Sequence, residues 1–390
     1  MRKVISGGRI PVKMWLDNVE EAALEQAKNL SNLPFAFKHI ALMPDAHVGY
    51  GMPIGGILAT KGVVIPNAVG VDIGCGMCAV RTDLMHSEMP VKKIKTVLSD
   101  IRKLVPLGFE HHMINQEETM MPSGYDVDEL PIVSQQFDAA LKQIGTLGGG
   151  NHFIELQHDT EGYIWIMVHS GSRNIGYRVA DHYNKIAKQL NALWYADFSI
   201  KADLAFLPFE TEQAKAYLKE MQYCIDFALS NRSLMMERVK EAVLESFPST
   251  GFDEMINIAH NYAAWEQHFG SNVLIHRKGA TSAREGETGI IPGSQGTKSY
   301  IVRGLGNPES FMSCSHGAGR VMSRSQAVKN LNLTEEIEKL DKKGILHAIR
   351  GQKDLEEAAS AYKDIDEVMA LQTDLVEIIH ELTPVAVVKG

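Results

Sequence analysis

The run Ser313-Cys-Ser-His-Gly-Ala-Gly-Arg320 sets one histidine, His316, among small residues. Gly317 and Gly319 strip the backbone of side chains, so a bulky group can lie against it. An imidazole held there is open to covalent attack on a phosphorus or carbonyl centre. Four further segments carry groups of the same kind. In Asn67-Ala-Val-Gly-Val-Asp-Ile-Gly-Cys-Gly-Met-Cys78, Asp72 and Cys75 lie three apart in a glycine-rich turn after a strand. A hard oxygen and a soft sulfur on one bend suit a divalent transition metal. Three other readings of this turn stand beside that one. Cys75 and Cys78 have CxxC spacing, but no second CxxC or CxxH completes a structural zinc. Gly74, Gly76 and Ala79 follow GxGxxA, yet the next segment is strand-like and does not open a helix. The turn can also be purely structural.

Gly145, Gly148, Gly149 and Gly150 precede Asn151 and His152 and allow close approach to a phosphate. No GK[ST] follows, so this is not a P-loop. Glu155, three residues on, offers a carboxylate to a donor edge. His169 ends the apolar run Tyr163–Val168, where the strand fixes the ring and the turn leaves it open. Arg173 follows four residues later and is a phosphate partner by type. His260 and Asn261 are expected on a helix; the interval to His268 is eight, not the four of a helical zinc pair. Arg277 to Arg284, Ile291 to Gln295, and Lys298 with Ser299 supply hydroxyls and cations suited to phosphates and a ribose. Arg320 and Arg324 flank the His316 loop. Each group alone reads as readily as a core histidine or a solvated cation. No KxDG lysine motif is present, so a covalently carried nucleotide falls to His316.

Positioning these groups requires a scaffold. Strand character marks Ile40–Met43, Gly56–Ile65, Ala79–Arg81, Tyr163–Val168, Val273–Ile275 and Tyr300–Val302. Helical spacing marks Val19–Leu30, Val91–Leu104, Gln136–Ile144, Ala214–Leu244 with a break at Asn231, and Ile365–Leu382. Clustered strands between helical stretches predict an α+β fold. Segment Glu110–Pro131 is polar and reads as a surface loop. Site residues spread from 72 to 389, which predicts one domain over residues 1–390.

An apolar fraction of 45% and a charged fraction of 22% are those of a globular protein. No run of about 18 apolar residues exists, so no membrane span is expected. The start lacks the apolar core of a secretory signal. Four cysteines do not make a disulfide scaffold, which favours a reducing compartment, the cytoplasm. A net charge of −9 argues against nonspecific coating of nucleic acid but leaves room for a local basic groove.

The segments GVDIGCGM at 70–77, GGGNHFIE at 148–155, HSGSR at 169–173, HN at 260–261, RKGA at 277–280, PGS at 292–294, SHGAGRVMSR at 315–324 and the terminal VKG closely resemble the RtcB family of RNA-splicing ligases. The match runs in order from about residue 11 to the end. The resemblance implies a large α+β domain, with mixed sheets around a central metal and nucleotide cleft and helices outside. It implies a GTP-dependent ligase that seals an RNA 3′-phosphate, or a 2′,3′-cyclic phosphate opened first, onto a 5′-hydroxyl. His316 matches the guanylylated histidine. Asp72, Cys75, His152, His169 and His260 match the ligands of two Mn2+ ions, with the Cys75 thiolate shared. Asn151, His152, Phe153, Ile154, Glu155, His260, Asn261, Pro292, Gly293, Ser294, Gln295, Ser299, His316, Gly317, Ala318, Gly319 and Lys389 match GTP contacts.

A carboxylate at Glu155 would accept from guanine N1–H and the amino group, a pair adenine lacks. Tyr362, expected on a helix, is a stacking platform for the base. Arg173, Lys278, Arg320 and Arg324 are the expected RNA-phosphate cations. RNA ends, GTP and an archease-type activator are the expected partners. Cys78 has no role in the resemblance; a thiol three residues from Cys75 is expected to be able to form a disulfide that inactivates the site. Gln295 stands where related enzymes carry methionine, so a backbone contact is expected of it. Two other readings compete: a metal-dependent phosphodiesterase that opens cyclic phosphates without joining ends, and a non-catalytic RNA-binding scaffold. The five matching ligands speak against the scaffold.

Overall fold

The computed structural model describes all 390 residues. Two sheets organise it. The first has six strands in the order Lys3–Ile5, Val12–Met14, Ala36–His47, Ile54–Thr60, Ser271–Lys278 and Asn261–His268. It is mixed through one parallel pair, Val12–Met14 beside Ala36–His47. The second has seven strands in the order Ile256–Ala259, Gly76–Met85, Tyr163–Ser170, Phe153–His158, Val376–Lys389, Ser299–Gly304 and Thr288–Ile291. All its neighbours are antiparallel. The α+β expectation holds. No helix is long and apolar enough to cross a membrane.

Alternation along the strands divides the second sheet into two faces. Ile154, Leu156, Ile164, Ile166, Val168, Cys78 and Val80 pack against helices Val91–Leu104 and Glu212–Ser246. Val91–Leu104 meets them with Ile94, Val97, Leu98 and Ile101, an i, i+3, i+4, i+7 stripe. Each such fully buried aliphatic side chain contributes roughly 1.5–3 kcal/mol. The intervening residues face the other way. Phe153 pairs with His169, Glu155 with Met167, and Met77 with His169, so polar groups share this second face.

Several expected elements are corrected. Gly56–Ile65 is two strands, Ile54–Thr60 and Val63–Val64, separated at Gly62, where φ is +80°. Ala214–Leu244 is one unbroken helix, Glu212–Ser246, because Asn231 directs its amide sideways into other backbone instead of competing with its own turn. Ile365–Leu382 is not a single helix: the helix ends at Ala370, and Val376–Lys389 is a strand. That strand changes partner along its length, pairing Ser299–Gly304 up to Leu382 and Phe153–His158 from Thr383 on, with a register shift between Pro384 and Ala386 inside the second pairing. His260 lies between strands Ile256–Ala259 and Asn261–His268, not on a helix. Helix Arg173–Leu193 adds to the expected set, although Ile175, Val179, Tyr183 and Ala187 have helical spacing and are buried.

Candidate functional site

Four imidazoles form a chain of edge-to-face contacts. Ring centroids are 4.8 Å apart for His316 and His260, 5.2 Å for His260 and His169, and 5.3 Å for His169 and His152. Cys75 lies against two of them, its Sγ 3.3 Å from His169 Nε2 and 3.5 Å from His152 Nε2. Asp72 Oδ2 is 3.2 Å from His152 Nε2. Two triads of donors therefore converge, Asp72–Cys75–His152 and Cys75–His169–His260, with Cys75 common to both. His169 Nδ1 donates to the Asn151 carbonyl at 3.1 Å, which leaves Nε2 as a free lone pair aimed at Cys75. Burial and the neighbouring rings pull the pKa of His169 and of His260 well below the usual histidine range. Desolvation works against the Asp72 carboxylate, but the hydrogen bond and charge of His152, with Cys75 and His169, together outweigh it and hold the group low. Burial, and then Asp72, push the Cys75 thiol up.

The donor set fits a divalent cation. Buried His260 Nδ1 has no hydrogen-bond partner, and three imidazoles, one thiol and one carboxylate converge in two triads where a shared cation would satisfy them.

The ligand-bearing turns are tied from behind by the long helix. Asn231 accepts from Gly145 N–H and Thr146 N–H and donates to the Gly171 carbonyl. Arg232, fully buried, donates to the Gly74 and Ser170 carbonyls, next to Cys75 and His169, and to Asn257. Asn261 closes the arrangement by donating to the Asp72 carbonyl and accepting from Gly279 N–H. Gly279 has φ +58°, and a Cβ there would meet His316 Cε1 at 3.1 Å.

His316 itself is oriented by a residue the sequence reading missed. Asp45 Oδ2 accepts from His316 Nδ1 at 2.6 Å and from His316 N–H at 3.0 Å. The second ring nitrogen, Nε2, is thereby the nucleophilic one. Burial raises the Asp45 carboxyl, but His316 outweighs it, so the group stays ionised below the ordinary range. Asp45 lies in the strand Ala36–His47, and Gly319 packs against its carbonyl with φ +73°, where a Cβ would come within 2.2 Å. Pro44-Asp45-Ala46-His47, a strand-end pair before a glycine-rich turn, is the signal that drew attention to His169 and could have found Asp45.

A cavity of about 1010 Å³ opens beside this chain of rings, lined by Asn151, Phe153, Glu155, His169, Pro292 to Gln295 and His316 to Arg324, with Glu357, Tyr362 and Lys389. Glu155 is buried on the floor, and burial raises its carboxyl to about 8 against the opposing hydrogen bond from Gln157. Ser299 lies just behind, accepting from Gln157 and from Gly293 N–H. Burial lowers the Lys389 ammonium to about 8. Tyr362 follows a short 3-10 turn instead of lying on a helix, and the Arg320 guanidinium covers its ring at 4.9 Å.

Some expected contacts are not brought to this cavity. Ile154 belongs to the opposite face of its strand and is buried under the helices, so its side chain does not reach the cavity. His260, His152, Asp72 and Cys75 do not line the cavity; the first two and Cys75 are buried, and Asp72 is partly exposed. The Gln295 side chain donates to the Glu357 carbonyl. Arg173 donates to Thr146 Oγ1 and the Gly108 carbonyl, and Lys278 to the Tyr50 and Asn67 carbonyls; neither lines the cavity. Arg320 is spent on Glu357, Tyr362 and two carbonyls. Arg324 keeps donors free beyond its bond to Glu357, and its side chain is 53% exposed at the cavity mouth. The Cys75–Cys78 disulfide expectation fails, since both thiols are free and Cys78 faces the helices, its sulfur 3.8 Å from the Arg232 carbonyl.

The description "tRNA-splicing ligase RtcB" belongs to the family model that matches residues 26–390. The RNA-splicing ligase RtcB of Escherichia coli K12 is 43% identical over 411 aligned positions, covering 97% of this chain and 97% of that protein. The tRNA-splicing ligase RtcB of Thermococcus kodakarensis is 31% identical over 462 positions, covering 98% and 95%. That of Nanoarchaeum equitans is 33% identical over 447 positions, covering 95% and 92%.

Proposed function

The chain belongs to the RtcB family and is an RNA ligase, and from that premise we propose that it joins RNA 3′-phosphate ends to 5′-hydroxyl ends through a guanylylated His316. The observation that carries this reading is a lone nucleophilic imidazole, fixed by Asp45, at the meeting point of a nucleotide-sized cavity and a Cys75-centred donor cluster. His316 Nε2 attacks the α-phosphorus of GTP and pyrophosphate leaves. The RNA 3′-phosphate, opened from a cyclic phosphate where necessary, takes the GMP, and the P–N bond to His316 breaks. The 5′-hydroxyl then attacks the activated phosphorus and GMP departs. Asp72, Cys75, His152, His169 and His260 would hold two divalent ions, manganese by family likeness, with Cys75 common to both donor sets. Such ions supply charge neutralisation on the phosphate oxygens, which makes phosphorus more electrophilic. Arg324 is placed to receive an RNA phosphate. A cytoplasmic setting and an archease-type activator belong to the same reading.

Asp45 keeps the His316 ring in one tautomer. Asp45→Ala is expected to slow GMP attachment by about 100-fold or more, because the ring then samples orientations in which Nε2 misses phosphorus. Rapid-quench labelling with α-labelled GTP measures this; a change below threefold would leave the ring oriented by something else.

Glu155 supports guanine selection. Its carboxyl, near 8 in the free protein, must ionise to accept both guanine donors, so binding expels a proton. Guanosine affinity is therefore expected to rise between pH 6.0 and 7.5, by up to about tenfold per unit, and to level off near 8. In Glu155→Gln the affinity falls and the slope disappears. Calorimetry without metal, in buffers of different ionisation enthalpy, counts the released proton; a flat wild-type profile would remove Glu155 from this role.

Incubation of the protein with α-labelled GTP and Mn2+ tests the reading as a whole. Acid-labile label on the protein is the expected result. A protein that opens cyclic phosphates but never takes label would be the phosphodiesterase.

A further inference from the structure

The residue that orients His316 holds a second histidine as well. His47 Nδ1 lies 2.9 Å from the Asp45 carbonyl oxygen, which can only accept, so Nδ1 carries the proton. Nε2 of His47 makes no hydrogen bond within the protein, and the residue lines the same cavity as His316. One aspartate thus fixes the tautomers of two rings, His316 through its carboxylate and His47 through its carbonyl. His47 belongs to neither donor triad. It lines the cavity together with Val48, Tyr50 and Ile54, as do Glu155, assigned above to guanine, and Lys389.

The sealing step needs a group to take the proton of the attacking hydroxyl, and apart from His316, which carries GMP in the preceding steps, the other imidazoles and carboxylates lining the cavity are engaged elsewhere or lie in solvent. His169 belongs to the donor cluster, Glu155 to guanine, and Glu357 is bound by Arg320, Arg324 and Tyr362. Glu20 is solvent-exposed. Resting on the ligase reading above, we propose that His47 is the general base of strand sealing, its Nε2 receiving the proton of the RNA 5′-hydroxyl. In that step the 5′-O–H bond breaks as the O–P bond to the 3′-phosphate forms. The P–O bond to GMP breaks, GMP leaves with its electron pair, and the imidazolium returns its proton to solvent. The groups facing His47 are Asp45, His316 and Lys363, with Glu20 on the same cavity wall. Burial lowers the His47 ring to about 4, so Nε2 is unprotonated at neutral pH, though a weaker base than an ordinary imidazole.

The test uses an RNA whose 3′ end already carries the GMP pyrophosphate linkage, supplied with a 5′-hydroxyl RNA, and follows joining in single turnover. In His47→Ala and His47→Gln, joining is expected to fall about 10²–10⁴-fold. Attachment of GMP to the protein from α-labelled GTP, which precedes the proton transfer, should stay within a few fold and shows that the variants fold. A 5′-thiol RNA, whose nucleophile ionises near neutral pH, should recover most of the loss, which a merely structural defect would not permit. Joining within threefold of wild type, or an equal loss with the thiol strand, overturns the assignment. Failure of the wild-type protein itself to join the activated strand would instead sink the ligase reading, and this inference with it.

Discussion

His316→Ala is expected to abolish covalent attachment of GMP, a loss of at least about 10⁴-fold in the labelling rate, while metal binding is retained. The ring does not belong to either donor triad, and its Nδ1 is occupied by Asp45. Its removal takes away the one nucleophile without touching a donor of the cluster. The neighbouring groups are engaged elsewhere: His260, the nearest imidazole, belongs to the donor cluster, His47 is assigned to the later sealing step, and Lys278 and Lys363 each donate to two backbone carbonyls. The checks are gel detection of the labelled protein and calorimetric titration with Mn2+. Ligation of 3′-phosphate ends by the variant would refute the nucleophile assignment. Loss of metal together with label would place residue 316 inside the donor set.

Cys75→Ser has the second large expected effect, and its character is diagnostic. Cys75 is common to both triads, so replacing a soft thiolate by a weakly acidic hydroxyl should weaken both ion sites together. Removing an outer-shell partner of a metal ligand costs about 10–100-fold in affinity, and a shared ligand should exceed that, with activity falling in parallel. His169→Ala and Asp72→Ala, each in one triad, should weaken one equivalent more than the other. Titration of Cys75→Ser showing two unchanged equivalents would contradict the sharing.

Much of the site was legible because its chemistry sits on short motifs at strand ends. His169 follows six apolar residues and lies one residue before the end of its strand, close to the expected place, and the turn at 72–75 does bring Cys75 and Asp72 to one point. What was not legible depends on long-range pairing. Asp45 and His47 gain their meaning only when His316, some 270 residues later, packs against the same strand. Arg232 looks like an ordinary polar position on a helix, and Asn231 like a helix break, until glycine-rich turns are laid beside them. The reading of residues 365–382 as a helix has a physical origin as well. Val376, Ile379 and Leu382 recur at intervals of three, continuing the spacing of Ile365, Val368 and Leu371, while most of Val376–Leu382 is half-buried or exposed and shows no strict alternation. Ile154 shows the converse: motif order suggests a contact with nucleotide, whereas the pleat turns its side chain into the core beneath the sheet.

The central claim is tested most directly by offering the protein, with GTP and Mn2+, one RNA ending in a 3′-phosphate and another beginning with a 5′-hydroxyl. The account predicts a single joined strand whose new linkage retains the phosphate of the 3′ end, with no joining when GTP is replaced by ATP. Strands that remain separate under these conditions, while a 2′,3′-cyclic end is opened, would contradict it.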